Sequence, residues 1–295
     1  MNARQKKRMA AIQAQRIVKI KQDRKRILTT KSGFYMQEAY KTLRTNVNFA
    51  LANTEGCKVL MVTSALQSEG KSLTALNLAI SLGQTDKKVL LIDSDMRRPR
   101  LARLLNLSAP AGLSNLLMDF SSMDVAIFKN DEYGIDLILA GDIPPNPAEL
   151  LASTRMGKLL EILRKQYDYI IVDTPPVDLV VDATVMSPQC DGILFVVRTN
   201  QSERGAVIHA MEQLEYVKAN VIGFVFNGVT AETGSGYGKY RYKQYARYGY
   251  GRYGYRYGYG RYGYRYGSYG YSNYGGGHLD KPEENHQEPQ TTENA

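Results

Sequence analysis

Six short apolar segments recur along the middle of the chain, and stretches with helical spacing of apolar residues separate them. The segments are KVLMVT (58–63), KVLLID (88–93), IDLILAG (135–141), YDYIIVD (167–173), GILFVV (192–197) and VIGFVFN (221–227). Most are apolar at consecutive positions rather than at alternate ones, which is typical of strands buried on both faces of a parallel sheet. The alternation of strands with helices predicts a three-layer α/β domain with a mostly parallel central sheet.

Helical spacing is clearest at three places between and before these segments. The stretch YMQEAYKTLRTNVNFAL predicts a helix whose apolar stripe is Tyr35, Ala39, Leu43 and Val47. The stretch KSLTALNLAISLG predicts a helix that ends at a glycine cap, Gly83. Residues 202–220 predict a further helix, after which the last apolar segment completes the domain.

The charges divide the chain into four parts. Residues 1–31 carry 11 lysines and arginines and one acid, which predicts a disordered basic N-terminal arm. The folded domain is expected over 32–233. A tyrosine-, glycine- and arginine-rich disordered tail follows over 234–274, and the last part, 275–295, is acidic and polar and is also expected to be disordered. Basic extensions favour polyanions, so the arm could contact an anionic membrane surface.

The tail contains an internal repeat. The unit YGYGRYGYR at 248–256 recurs at 257–265, and 16 of the 22 tyrosines lie between Tyr237 and Tyr274. Eight basic residues and no acid accompany them. Such a segment can be a set of targets for modification, or an adhesive surface that binds nucleic acid by stacking and backbone charge.

Apolar runs and cysteines indicate the compartment. No run approaches the roughly 20 apolar residues that span a bilayer, and no signal-peptide core follows the basic start. Cys57 and Cys190 each lie beside an apolar run, so we interpret them as free thiols in a reducing compartment. The chain is therefore expected to be cytoplasmic.

The first predicted strand leads into SALQSEGKS, where glycine, lysine and serine open a helix. This arrangement is a P-loop: backbone N–H groups cradle the β-phosphate, the lysine reaches the β- and γ-phosphates, and the serine hydroxyl binds Mg²⁺. The first glycine of the motif is replaced by another small residue, Ala65. The residues expected to bind ATP here are Ser68, Glu69, Gly70, Lys71, Ser72 and Leu73.

Aspartates stand at the ends of two other predicted strands. Asp93 and Asp95 follow the second strand, and Asp173 ends the fourth. In an open parallel sheet, ligands bind beyond the carboxyl ends of the strands, where the P-loop also lies. Carboxylates beside a triphosphate need compensating cations, which Mg²⁺ and Lys71 would supply. The sequence therefore predicts a Mg·ATP site in a P-loop NTPase fold.

The motifs SALQSEGKS, LLIDSDMRRP and IIVDTPP, followed by a tyrosine cluster, resemble the Walker A, A′ and B motifs of bacterial tyrosine kinases of the CpsD/CapB type. The resemblance implies a protein-tyrosine autokinase that uses ATP and Mg²⁺, forms a homo-oligomeric ring and phosphorylates C-terminal tyrosines between neighbours. It implies a role in regulating capsular or extracellular polysaccharide synthesis and export. It also implies a separate transmembrane polysaccharide co-polymerase adaptor, which would recruit the kinase to the inner face of the membrane, and a tyrosine phosphatase. Nucleic acid is not expected as a partner.

The resemblance also implies roles for individual side chains. Lys71 would act on the phosphates of ATP, and Asp93 would accept or orient the proton of the tyrosine hydroxyl. Asp95 and Asp173, together with Ser72, would hold Mg²⁺. The expected phosphoacceptors are Tyr248, Tyr250, Tyr253, Tyr255, Tyr257, Tyr259, Tyr262, Tyr264 and Tyr266.

Further positions match the family pattern less fully. Asn227, at the end of the last strand, resembles the position that recognises adenine. Glu38, Lys41 and Arg44 stand at the spacing of the oligomerisation motif E-x-x-R-x-x-R, with lysine replacing the first arginine. An intrahelical ion pair between the first two is the alternative.

Two arginines follow the A′ aspartates. Arg97 and Arg98 could steady phosphate charge or contact a neighbouring subunit, and exposed surface arginines are the alternative.

The competing interpretation is an ATPase of the ParA/MinD type whose tail binds a surface or nucleic acid. That family shares the sheet and the acids, but it carries a lysine five positions before the Walker lysine. This chain has Leu66 at that position. Together with the tyrosine-rich tail, Leu66 favours the kinase, in which the tail is the substrate.

Overall fold

The computed structural model describes residues 20–119 and 123–229, together with Gln5 and Val18. In these residues seven strands form one sheet: β1 (Lys58–Ser64), β2 (Val89–Asp93), β3 (Ile127–Asn130), β4 (Ile135–Ile138), β5 (Tyr169–Asp173), β6 (Gly192–Arg198) and β7 (Val221–Asn227). The tail with its expected phosphoacceptors, the acidic C-terminus and most of the basic arm lie outside the described residues.

The sheet has the strand order β3-β4-β2-β5-β1-β6-β7. All neighbouring strands are parallel except β3 and β4, which are antiparallel. The six apolar segments are all strands, so the predicted mostly parallel sheet is confirmed. The sequence pattern did not indicate β3, because this edge strand has only four residues and none of them is buried.

Helices cover both faces of the sheet. They are α1 (Phe34–Ala50), α2 (Lys71–Gly83), α3 (Leu101–Leu105), α4 (Leu113–Met118), α5 (Met123–Ala126), α6 (Pro147–Leu151), α7 (Thr154–Arg164), α8 (Asp182–Met186) and α9 (Arg204–Tyr216), with a 3₁₀ turn at Ser187–Gln189. Within the described part of the chain, none of the helices combines the length and the hydropathy needed to cross a bilayer.

Side chains alternate along the strands between two cores. In β1, Val59 and Met61 contribute to one core, whereas Leu60 and Val62 contribute to the other. Every residue of β2 and β5 is buried, which explains why their sequences are apolar up to the aspartate that ends each strand. Burying each leucine, isoleucine or valine of these strands contributes about 1.5–3 kcal/mol. The predicted three-layer α/β architecture is therefore confirmed.

The apolar face of α1 differs in part from the predicted stripe. Its second half packs on the core as expected, but Tyr35 and Ala39 are exposed. Met36 and Tyr40 take their place against the core. A stripe with uniform steps of four residues drifts around the helix, whereas mixed steps of three and four follow its 3.6-residue period.

Helix α2 ends at Gly83, as predicted, but Gly83 does not act as a left-handed glycine cap. Gly83 is the last residue of α2, and its φ is not in the left-handed region. A Cβ atom at this position would lie 2.6 Å from the carbonyl oxygen of Gly134. The glycine is therefore needed because the helix end approaches the backbone of the loop before β4.

The folded domain begins within the basic N-terminal arm. Residues 20–24 are helical, and Ile27 and Leu28 are only 5% and 2% exposed. The Leu28 N–H donates to Asn77 Oδ1 at 2.8 Å, and Asn77 Nδ2 donates to the carbonyl of Arg26 at 2.9 Å. The prediction that the whole arm is disordered is therefore wrong for residues 20–28. Ile27 and Leu28 were not recognised as core residues because most residues around them are charged.

Candidate functional site

The turn between β1 and α2 has the geometry of a P-loop. Ser68 and Gly70 adopt left-handed backbone angles, with φ of 68° and 100°. The φ of Gly70 strains any residue with a Cβ, and such an atom would also lie 1.9 Å from Asn227 Nδ2, so this position favours glycine. Ala65 does not have a positive φ, which explains why alanine serves where the motif has its first glycine. Helix α2 then begins at Lys71.

A buried glutamate fixes the shape of this turn. Glu69 is 1% exposed, and its carboxylate accepts hydrogen bonds from the Leu66 N–H at 2.8 Å and from the Ser202 hydroxyl. Arg198 Nη1 donates to the carbonyl of Ser68 at 3.1 Å. Sequence reasoning did not identify Arg198 or Ser202. Arg198 ends β6, so the rule that selected the strand-end aspartates could have found it.

Asn227 closes the opposite side of the turn. Its Nδ2 donates to the carbonyl of Glu69 at 2.9 Å. Its own carbonyl accepts a hydrogen bond from the Thr199 N–H at 3.0 Å. The residue expected to recognise adenine is thus held against the P-loop, although nothing in the structure tests its role in base recognition.

Lys71 is buried among carboxylates. Its Nζ lies 3.2 Å from Asp95 Oδ2 and 3.7 Å from Asp173 Oδ1. Burial alone would lower the pKa of Lys71, but Asp173, Asp95 and Asp93 together raise it. The lysine therefore remains protonated and supplies positive charge where phosphates would lie.

Asp93 lies beside Asp173, because the two residues are direct partners in the parallel pairing of β2 with β5. Asp93 Oδ2 accepts hydrogen bonds from the N–H groups of Arg100 and Leu101 at 3.2 and 3.0 Å, and its Oδ1 accepts one from the N–H of Asp95 at 3.2 Å. Burial, reinforced by the charge of Asp173, raises the pKa of Asp93 to about 7. Such a pKa suits a group that accepts a proton near neutral pH.

Oxygen atoms suited to Mg²⁺ lie beside Lys71. In the described part of the chain, the Ser72 hydroxyl and both carboxylate oxygens of Asp173 are buried and have no partner with hydrogen-bond geometry, although Ser72 lies close enough to Asp173 to oppose the rise that burial causes in the pKa of this carboxyl. A buried polar atom without a partner costs about 1–3 kcal/mol, which points to a ligand that these oxygens receive. Together with Asp95 they form an oxygen donor set that fits Mg²⁺.

The protein would not enclose this ion by itself. The described residues contain no group of three or more His, Cys, Asp or Glu side chains arranged to hold a metal. Mg²⁺ in nucleotide sites keeps waters and phosphate oxygens among its ligands, so few protein oxygens suffice.

The two arginines after the A′ aspartates have different surroundings. Arg97 forms a bidentate pair with Asp182, with both nitrogen–oxygen distances at 2.9 Å, and the Asp182 side chain is fully buried. Arg98 Nη1 donates to Gln67 Oε1 at 2.7 Å. The ion pair therefore fixes the Arg97 side chain to α8, and the hydrogen bond joins the Arg98 side chain to the P-loop residue Gln67.

The residues expected in oligomerisation are engaged within the single chain. Lys41 Nζ lies 2.8 Å from Glu38 Oε1, which is the intrahelical pair considered as the alternative. Arg44 Nη1 donates to the carbonyl of Ser81 on α2. A ring therefore stays a prediction, because nothing in the structure tests it.

A cavity of about 1020 Å³ opens at the carboxyl edge of the sheet. Such a volume is sufficient for a nucleotide. Its lining includes Ser68, Gly70, Lys71, Ser72, Leu73, Asp95 and Asn227. The structure thus brings the predicted phosphate, metal and adenine residues to one site, while Asp93 and Asp173 are buried.

We expect Asp173→Asn to stabilise the protein in the absence of nucleotide. The pKa values of Asp93 and Asp173 are raised mainly by burial, so the folded state binds protons more tightly than the unfolded chain. The stability of the unliganded protein should therefore fall as pH rises from about 4 to about 7. Removing one buried carboxylate should raise the unfolding free energy at pH 7 by about 1 kcal/mol and flatten this fall.

Urea unfolding at pH 5, 6 and 7 measures this effect. Asp136→Asn is the matched control, because Asp136 lies on β4, away from the carboxyl ends of the strands. Its Oδ2 accepts a hydrogen bond from the Tyr167 hydroxyl at 2.8 Å. A variant at position 173 that is less stable at every pH would contradict the expected cost of burying this carboxylate.

Known proteins resemble this chain in sequence and structure. Residues 57–221 match a family model described as an AAA domain. Tyrosine-protein kinase YwqD of Bacillus subtilis is 40% identical over 69% of this chain and 85% of that protein. Tyrosine-protein kinase CpsD of Streptococcus agalactiae is 34% identical over 69% of this chain and 88% of that protein. The kinase domain of Escherichia coli tyrosine kinase ETK matches with a TM-score of 0.64 and 37% identity, over 68% of this chain and 79% of that chain.

These similarities agree with the site. The family model spans the P-loop and the A′ and B aspartates, and the relatives favour the kinase interpretation over an ATPase of the ParA/MinD type. The P-loop domain binds ATP, as its family does. The chain belongs to the family of bacterial tyrosine-protein kinases.

Proposed function

We propose that this kinase transfers the γ-phosphoryl group of Mg·ATP to tyrosine hydroxyls of its own C-terminal tail. The observation that carries the proposal is the buried constellation of Lys71, Asp95 and Asp173 beside Asp93, at the mouth of a P-loop. The tail supplies 16 tyrosines on the same chain. Because the tyrosines recur every two or three residues, many hydroxyls would be candidates to reach such a site in a neighbouring copy within a ring.

Each side chain of the site has a role in this proposal. Lys71 would bind the transferring phosphate and offset its charge, while Ser72, Asp95 and Asp173 would hold Mg²⁺. The bound ion would neutralise negative charge on the phosphates. Asp93 accepts or orients the hydroxyl proton of the acceptor tyrosine. Because a tyrosine hydroxyl has a pKa near 10, positioning and charge neutralisation matter more than the strength of the base.

Asn227 is proposed to recognise adenine. One N–H of its Nδ2 donates to the carbonyl of Glu69, which orients the side chain, and its amide oxygen is the atom that would accept a hydrogen bond from the adenine amino group. The side chains of Glu38, Lys41 and Arg44 would exchange their contacts within the chain for contacts between subunits in the ring.

The biological role follows from the resemblance to kinases of the CpsD/CapB type. We propose that the kinase is cytoplasmic, and that a separate transmembrane polysaccharide co-polymerase adaptor recruits it to the inner face of the membrane. Phosphorylation of the tail would regulate capsular or extracellular polysaccharide synthesis and export, and a tyrosine phosphatase would reverse it. The basic N-terminal residues could add contact with anionic lipid.

The proposal is tested by incubating the purified full chain with Mg·ATP and mapping phosphotyrosine by mass spectrometry. We expect phosphotyrosine within 237–274, and none when Mg·ADP replaces Mg·ATP. If ATP is hydrolysed while the tail stays unmodified, even with a cytoplasmic fragment of a candidate adaptor present, the ATPase interpretation replaces the kinase.

A further inference from the structure

The cavity at the P-loop continues to a second, arginine-rich part. Arg26, Arg100 and Arg103, which we call the arginine rim, line the same cavity as the phosphate-binding residues. Asn227 ends β7, whereas Arg100 and Arg103 follow β2 on the other side of β1 in the sheet order. A nucleotide that extends from Asn227 to Lys71 would therefore leave the arginine rim uncovered.

The arginine rim carries more positive charge than its neighbours balance. Arg100 Nη2 lies 3.3 Å from Asp23 Oδ2, and Arg26 Nη1 lies 4.0 Å from Oδ1 of the same carboxylate. Arg103 donates through Nε and Nη2 to the carbonyl of Pro99, at 3.3 and 2.7 Å, and forms no ion pair with the residues that the structure describes. Two of the three guanidinium groups thus share one carboxylate and the third pairs with none, and this surplus of two positive charges over ion-pair partners matches a phosphate monoester at neutral pH.

Hydrogen bonds from the Arg24 side chain hold the segment that carries Arg26 close to the segment that carries Arg103. Arg24 Nη2 donates to the carbonyl of Arg103 at 2.7 Å, and its Nε donates to the carbonyl of Leu104 at 3.0 Å. These bonds fix the segment that carries Arg26 against α3. The side chains remain reachable, because those of Arg26 and Arg100 are 59% and 34% exposed.

The arginine rim is also joined to the proposed catalytic centre. The N–H of Arg100 donates to Asp93 Oδ2, so the backbone that carries one rim arginine contacts the proposed proton acceptor. A group bound at the rim would therefore lie next to the place where an acceptor tyrosine must enter.

We propose that the arginine rim is a phosphotyrosine-binding subsite, which holds an already phosphorylated tyrosine of a tail while the next tyrosine enters the catalytic centre. This inference rests on the proposed tail phosphorylation. Tyrosines of the repeat stand two or three residues apart, which spans about 7–10 Å in an extended chain. Bidentate arginine–phosphate bonds would supply both the affinity and the orientation.

The positive charge of the tail, together with the subsite, predicts the order in which tails are phosphorylated. Residues 237–274 carry eight basic side chains and no acid, so the arginine rim repels an unmodified tail. The first phosphate reverses this effect locally and attracts the same tail. Later phosphates should therefore be added to a modified tail in preference to an unmodified one.

Binding of a labelled peptide to the full, phosphatase-treated chain tests the subsite. The probe is the peptide of residues 248–256 with phosphate on Tyr253, compared with the unmodified peptide by fluorescence anisotropy. Saturating Mg·ADP is present, so that the P-loop is filled. We expect the phosphopeptide to bind at least about tenfold more tightly than the unmodified peptide. Arg26→Gln combined with Arg103→Gln should remove this preference.

A matched control removes two charges elsewhere. Lys129→Gln combined with Lys165→Gln changes a second cavity, near Lys88 and Tyr167 at the amino ends of β2 and β5, and should keep the preference. Circular dichroism and thermal unfolding monitor the fold of each variant. If the double arginine variant does not fold, Arg26→Gln alone is measured and should lower the preference at least threefold.

Several results would overturn the proposal. If the two peptides bind equally, or if the lysine control loses the preference as much as the double arginine variant does, the binding is unspecific electrostatic attraction. Preferential binding of the phosphopeptide that is seen only when Mg·ADP is left out would assign it to the P-loop. Equal competition by inorganic phosphate would indicate a general anion site, and equal competition by the peptide of residues 275–295 would indicate an acidic ligand. The assay requires no kinase activity, so a chain that prefers the phosphopeptide but never phosphorylates its tail would refute the proposed function and leave the subsite intact.

Discussion

Lys71→Met should lower the rate of tail phosphorylation by about 10³-fold, because it removes the preorganised positive charge at the transferring phosphate. The lysine is the group that faces Asp95 and Asp173 within 4 Å, and its pKa is held high by these carboxylates and Asp93. The measurement is the initial rate of phosphotyrosine formation at saturating Mg·ATP, with binding of ATP recorded separately.

The control for this variant is Lys87→Met. Lys87 forms an exposed ion pair with Asp168, at 3.5 Å, and such surface pairs contribute little to stability. Its substitution should leave the rate unchanged. Tail phosphorylation at an undiminished rate in the Lys71→Met protein would contradict the assignment of the P-loop as the phosphoryl-transfer site.

Asp93→Asn should lower kcat by about 10²- to 10⁴-fold while changing the affinity for ATP little. Asparagine retains an oxygen that can accept the N–H groups of Arg100 and Leu101, so the loop after β2 keeps an anchor. The asparagine side chain cannot act as a base, so the variant tests proton acceptance while the loop after β2 keeps its position.

The pH profile gives an independent readout for Asp93. The wild-type rate should rise with pH as Asp93 ionises, from a pKa of about 7 in the unliganded protein, and bound Mg²⁺ would move this rise to lower pH. The rise should be absent from the residual activity of Asp93→Asn. Asp136→Asn serves again as the control, and a variant at position 93 with wild-type kcat and the same pH profile would exclude Asp93 as the proton acceptor.

The parts of the site that sequence reasoning identified are those encoded locally. A continuous apolar run followed by a polar residue marks the carboxyl end of a buried strand, and this pattern placed Asp93 and Asp173 at one edge of the sheet. The P-loop is likewise a contiguous motif, so its strand, turn and helix could be assigned from neighbouring residues.

The parts that were missed depend on contacts between distant residues. Arg198 bonds to Ser68 across a separation of 130 residues, and Ser202 bonds to Glu69 across 133, so no local pattern links either pair. The burial of Leu28 was hidden for a similar reason. Ile27 and Leu28 form only a short apolar pair between Arg26 and Thr29, and the core cluster that receives them is formed by residues that come later in the chain.

A mixing experiment tests most directly whether the site of one copy phosphorylates the tail of another. The enzyme is a full chain in which all 16 tyrosines between 237 and 274 are replaced by phenylalanine, and the substrate is the full Lys71→Met chain. After incubation of the two with Mg·ATP, we expect phosphotyrosine in the tail of the Lys71→Met chain. Wild-type chains that phosphorylate their own tails while this mixture stays unmodified would contradict transfer between copies.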